Sequence, residues 1–95
     1  MIDKLKEIKK RYLDVEGSLS KPETVLNMKL YTSLNKEYKN LGKIVSEYDT
    51  YLLILGGIKE AKEIISFEKD EEFREIAKSE LENLQQKQKK TEKKL

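Results

Sequence analysis

The spacing of the apolar residues constrains this chain more than any other feature of it. Met1, Leu5, Ile8, Tyr12, Val15 and Leu19 are separated by 4, 3, 4, 3 and 4 residues, and Tyr31, Leu34, Tyr38, Leu41, Val45, Tyr48, Leu52 and Leu55 keep the same alternation. Residues recurring every 3.5 positions share one face of an α-helix, whereas a strand would send them to both faces. The pattern predicts a helix over about 2–19 and a long one over about 27–65. Past Leu55 the stripe changes phase, and Ile54, Ile58, Ala61 and Ile65 continue it displaced by one residue. A helix with two overlapping stripes has partners on two sides, or different partners at its two ends. The longer helix would measure roughly 58 Å and the first only about 27 Å at 1.5 Å per residue. Its second half therefore needs a partner from the rest of the chain.

Punctuation supports these limits. Gly17 weakens the last turn of the first helix, which should stop close to Leu19. Ser20-Lys21-Pro22-Glu23 reads as a start signal, with a Ser cap, Glu three residues on and Pro in the first turn, where its missing N–H costs nothing. Residues 22–26 could form a separate short turn of helix or merge with the long helix after them. Beyond the connection Ser66-Phe67-Glu68-Lys69, Asp70 can cap a third helix over about 71–93, whose first turn holds Glu71 and Glu72. Its stripe is Phe73, Ala77, Leu81, Leu84 and Leu95, joined by Ile76. Gln88 and Thr91 occupy the stripe late on, so the last turns should bury little, and either fray or pack against something outside these 95 residues. The expected fold is all-α, a single domain forming a three-helix antiparallel coiled-coil-like bundle with a long middle helix. A core this small predicts modest stability and some self-association of the isolated domain.

Composition agrees, since Ala, Glu, Lys, Leu and Arg make up 49 of the 95 residues. The chain has neither Cys nor His, which removes the thiol nucleophile, the thiolate ligand and the commonest general base and metal ligand. Bundle metal sites join Glu to a His three residues on, so Glu60 with Glu63, or Glu71, Glu72 and Glu75, read as a solvated face. No calcium loop and no glycine-rich phosphate cradle occurs. These readings predict no catalytic residue, no metal site, no cofactor and no small-molecule substrate. The longest apolar run, Tyr51 to Leu55, is five residues against the ~20 a membrane helix needs, so no membrane partner is expected.

Net charge is only +2, but the basic residues gather at the two ends, and from Glu68 to Glu82 seven acidic residues outnumber three basic ones. Such segregation suits an RNA backbone or a basic partner, although helical lysines are mostly a solvated face. Five tyrosines, Tyr12, Tyr31, Tyr38, Tyr48 and Tyr51, could stack bases. Four of them fall on heptad positions, which favours core rings with hydroxyls at the solvent edge. Gly56-Gly57 is the local oddity, because each glycine inside a helix costs ~1 kcal/mol relative to Ala. Close packing of the third helix, a bend or a break would account for it, and a continuous but locally weak helix is the favoured reading.

Periodicity and composition alone stop at a helical interaction domain, for which a stand-alone adaptor or oligomerisation module and a small RNA-binding hairpin are the alternatives. A resemblance goes further. The segments Lys4-Leu5, Arg11-Tyr12, Leu19-Ser20 with Pro22-Glu23, Lys36-Glu37-Tyr38, Ile44-Val45 with Tyr48 and Tyr51, Glu60-Ala61-Lys62-Glu63 and above all Glu72-Phe73-Arg74-Glu75-Ile76-Ala77-Lys78-Ser79-Glu80-Leu81 resemble the N-terminal helical domain of bacterial class I peptide chain release factors. The likeness runs from about Met1 to Leu84. The early Arg-Tyr and the Ser-x-Pro-Glu turn look more like the members that read UAA and UAG.

The resemblance implies a cytoplasmic, non-catalytic arm cut from a longer protein, inside or just after the third helix. Stop-codon reading through Pro-x-Thr and ester hydrolysis through Gly-Gly-Gln would lie in later domains, and neither motif is present. Gly56-Gly57 is not that loop, because Ile58 follows it; relatives usually carry polar helix formers there. The implied partner is the ribosome at its GTPase-associated region, near the stalk-base protein and its rRNA. Helix three leads into the rest of such a protein, so the turn Ser66 to Asp70 would be the far tip, with Phe67 and Lys69 as contact residues.

Overall fold

The structure, a computed structural model, describes residues 2–95; Met1, the first position of the predicted seam, lies outside the described residues. The fold is all-α, with four helices and no strand among the described residues: α1 (Ile2–Leu19), α2 (Pro22–Val25), α3 (Met28–Phe67) and α4 (Glu71–Lys94). The chain divides into two compact units, one ending at Tyr48 and the other Asp49–Leu95.

In the first unit α1 lies along the first part of α3. Leu5 and Val15 are buried on α1, with Val45 and Tyr48 buried on α3. The rings of Tyr12 and Tyr38 stack with centroids 4.7 Å apart and an interplanar angle of 9°. Beside them the Arg11 guanidinium grips the Glu37 carboxylate through Nε (2.7 Å) and Nη2 (2.8 Å). Pairs such as Tyr12 with Tyr38 and Glu16 with Tyr38, and the approach of Tyr12 to Gly42, are what two helices running in opposite senses produce.

The start signal before α2 works differently from the expected capping box. Ser20 Oγ donates to the Gly17 carbonyl at 2.9 Å, so it closes the end of α1. Lys21 is the cap residue of α2 and supplies no side-chain bond, while Pro22 takes the first helical position. The cap for α3 is Asn27, whose Oδ1 accepts from Leu30 N at 3.1 Å, the ordinary role of an Asx side chain before an apolar-periodic run.

In the second unit α4 lies along the later part of α3. Tyr51 meets Glu92, Gly57 meets Leu84 and Ile65 meets Arg74, so numbers rise on one helix as they fall on the other. Three details of the predicted stripes change. The phase shift in α3 comes between Tyr48 and Tyr51, not past Leu55: Tyr51, Ile54, Ile58 and Ala61 are buried while Leu52 is exposed. On α4, Phe73 and Ile76 are exposed; the inward row is Arg74, Ala77, Leu81, Leu84, Gln88, Thr91 and Leu95, none of which is exposed. Arg74 can open it because its aliphatic stem packs while its head finds polar partners. Finally, the last turns do bury surface. Thr91 is 7% exposed, and α4 stays helical to Lys94.

Candidate functional site

The turn between α3 and α4 is built by satisfying helix ends. The last carbonyls of a helix and the first N–H groups of the next have no partner within their own ladder. Here α3 runs through Ser66 and Phe67, and the connection is only residues 68–70. Glu68 N donates to the Ile64 carbonyl at 2.8 Å, and Arg74 Nε donates to the Ile65 carbonyl at 3.2 Å. Two of the last carbonyls of α3 are thus occupied. The Glu68 carboxylate accepts from the backbone N–H groups of Lys69 (3.0 Å) and Asp70 (3.1 Å). Asp70 is extended at φ −78° and ψ 120°, and its Oδ1 accepts from Glu72 N at 2.9 Å, capping α4. Glu71 then pairs with Arg74 at 2.9 Å.

These short local bonds order the backbone of the turn that carries the two residues the resemblance singled out. Phe67 ends α3 with 82% of its surface exposed, and Lys69 is exposed two residues on. In sequence they flank Glu68, whose carboxylate is occupied with backbone donors. Such a pairing can give a partner one apolar anchor and one positive charge, which is recognition and not bond-making.

Periodicity did not reveal the surface leading up to that turn. Leu55, Ile58, Lys59, Lys62, Glu63, Ser66 and Phe67 line a shallow open groove on α3, so an apolar floor is edged by lysines and ends on the exposed ring. The signal was there as i, i+3, i+4 and i+7 spacing, but it is shared with the inward stripe through Ile58.

None of the tyrosines shares in the bonds of the turn described above. Tyr48 and Tyr51 are buried, and Tyr31, although on the heptad, is 39% exposed. Tyr51 donates to the Glu92 carboxylate at 2.6 Å, and this bond, followed by burial, raises its pKa above the ordinary phenol value. Tyr38 donates to Glu16 at 2.7 Å and accepts from Tyr12 at 3.0 Å; its pKa is raised by the same kind of bond to Glu16 and then by that to Tyr12. Among the described residues no group of acidic side chains is placed to hold a metal ion, and no helix is long and apolar enough to cross a membrane.

The PCRF domain family matches residues 8–95. Over 84 residues the chain is 50% identical to a peptide chain release factor 1 of Cytophaga hutchinsonii, covering 88% of this chain and 23% of that protein. A protein of the same name from Amoebophilus asiaticus is 45% identical over 85 residues, 90% of this chain and 24% of the relative. Another from Chloroherpeton thalassium is 36% identical over 87 residues, 92% of this chain and 24% of the relative. The chain thus spans about a quarter of the length of these relatives. No solved structure matches it.

Proposed function

The chain belongs to the PCRF-domain family of peptide chain release factors, and from that premise we propose that it is the non-catalytic N-terminal helical arm of a cytoplasmic factor that directs termination at UAA and UAG. In this reading the long helices form an antiparallel, coiled-coil-like support. The arm belongs to a longer protein, whose other domains read the codon and hydrolyse the peptidyl-tRNA ester. Its partner is the ribosome, at the stalk-base protein and rRNA of the GTPase-associated region. The observation that carries the proposal is the family match over residues 8–95, joined to a closely bonded turn that displays Phe67.

Phe67 and Lys69 make the contact: the ring supplies a desolvated anchor and the ammonium a charge for an acidic or phosphate surface. Co-sedimentation of the purified chain with ribosomes tests this directly. The unaltered chain should pellet with them, and Phe67→Ala and Lys69→Ala should each reduce the bound fraction. Equal binding by all three would remove the turn from the interface. Codon choice is read in the whole factor, where release at UAA and UAG but not UGA is the expected result.

A further inference from the structure

The rings of Tyr12 and Tyr38 are nearly parallel, 9° apart, with centroids at 4.7 Å, and their hydroxyl oxygens are 3.0 Å apart. The hydroxyl oxygens are closer together than the ring centroids, so the two phenols converge toward their hydroxyl ends, and the edges that approach are those carrying the carbons ortho to each hydroxyl. Those carbons share the unpaired spin when a phenol is oxidised by one electron. The Tyr12 hydroxyl donates to Tyr38, whose hydroxyl donates to the Glu16 carboxylate at 2.7 Å, so a proton acceptor is already in place. Both rings are half-buried, which favours each other over a tyrosine from another molecule. The Tyr12 ring also lies close to α3 at Gly42, where an added Cβ would stand 3.4 Å from its Cε1.

We propose that Tyr12 and Tyr38 are an oxidative crosslinking site, at which a peroxide-driven one-electron oxidant joins the two rings as dityrosine and staples α1 to α3. Each phenol gives up one electron and one proton, the Tyr38 proton passing to Glu16. The two radicals couple through a new bond between ortho carbons. The hydrogen on each coupling carbon then moves to its oxygen and restores the aromatic rings. The electrons and protons released reduce one hydrogen peroxide to two waters for each crosslink. Glu16 is a positioning residue that accepts a proton, and it forms no bond in the product. The proposal is independent of ribosome binding, since it needs only the first unit.

The test is to treat the 95-residue chain with hydrogen peroxide and a peroxidase, isolate monomer, and identify crosslinked peptides by mass. The expected product is a monomer lighter by two hydrogens, fluorescing as dityrosine, with the peptide holding Tyr12 joined to that holding Tyr38. Tyr12→Phe and Tyr38→Phe keep the rings, and hence the helices as followed by circular dichroism, yet lose this species. Tyr31→Phe retains it. Glu16→Gln crosslinks more slowly near neutral pH and regains the lost rate in alkali, where phenol ionisation no longer needs an acceptor. Survival of the monomeric crosslink in Tyr38→Phe, or dityrosine found only between molecules, overturns the proposal.

Discussion

A Cβ placed on Gly57 would stand 3.0 Å from Cδ1 of Leu84. Its neighbour Gly56 would meet nothing within 4 Å, so the two glycines of the pair are there on different terms. Both lie in unbroken α3, and neither has positive φ. Gly57 allows α4 to approach, whereas Gly56 only weakens the helix. Gly56→Ala should therefore stabilise the chain by about 1 kcal/mol, the helical gain of a methyl group with space around it. Gly57→Ala offers the same gain but requires Leu84 to yield by a few tenths of an ångström. It should fall short of Gly56→Ala by about 1 kcal/mol, the low end of the cost of overpacking. Urea titrations followed by circular dichroism decide it, and equal gains at both positions would mean that Leu84 does not need the space.

Tyr51 is 5% exposed and donates its hydroxyl to Glu92, a short charged hydrogen bond between α3 and the polar end of α4. Tyr51→Phe keeps the ring and removes that bond, at a cost of about 1 kcal/mol because the carboxylate can return to water. The pH dependence carries a sign. The phenol pKa is raised by Glu92 and burial, so its stabilisation is complete below the unfolded value near ~10 and is lost as pH rises through the folded value. The difference between the parent chain and Tyr51→Phe should be constant through neutrality and shrink in alkali. A difference that grows with alkaline pH would contradict this account.

The Arg11 and Glu37 fork is exposed, and its effect should be small and salt-sensitive. The paired hydrogen bonds raise the pKa of Arg11 and lower that of Glu37. For the carboxylate the contribution is present above the unfolded pKa of ~4.3 and is lost as pH falls through the depressed folded value. A double-mutant cycle with Arg11→Ala and Glu37→Ala should give a favourable coupling at low salt that vanishes in molar salt and in acid. Coupling unchanged by salt would indicate that packing of the arginine stem matters more than charge.

The heptads made much of the fold legible. Leu5, Val15, Val45 and Tyr48 are buried because strict 3 and 4 spacing leaves a helix only one apolar face to bury. At the phase shift that argument loses its hold. Tyr51 and Leu52 are adjacent and both apolar, and which turns inward depends on the helix packed there. The start of α4 misleads for a related reason: Phe73 and Ile76 look like core residues, but the inward row begins on Arg74, whose stem substitutes for an apolar side chain. At the candidate site, the exposure of Phe67 could be read from its place beyond Ile65, the last stripe residue. The carbonyl held by Arg74 could not, since it depends on how closely the end of α3 approaches α4.

The bonded turn allows stability and surface chemistry to be separated. Asp70→Ala removes the cap that accepts from Glu72 N and should cost about 1 kcal/mol. Arg74→Ala releases the Ile65 carbonyl and should cost a similar ~1 kcal/mol, with faster amide exchange from Glu68 to Asp70. Phe67→Ala removes a ring that is 82% exposed and should change stability by less than about 0.5 kcal/mol, as surface substitutions do. If the ring is a contact group, Phe67→Ala weakens ribosome binding with the unfolding transition unmoved. Asp70→Ala and Arg74→Ala shift the transition first and weaken binding only as far as the turn loosens. A Phe67→Ala chain that unfolds early while binding normally would make the ring a structural element, and the contact would have to be sought along Lys59 and Lys62.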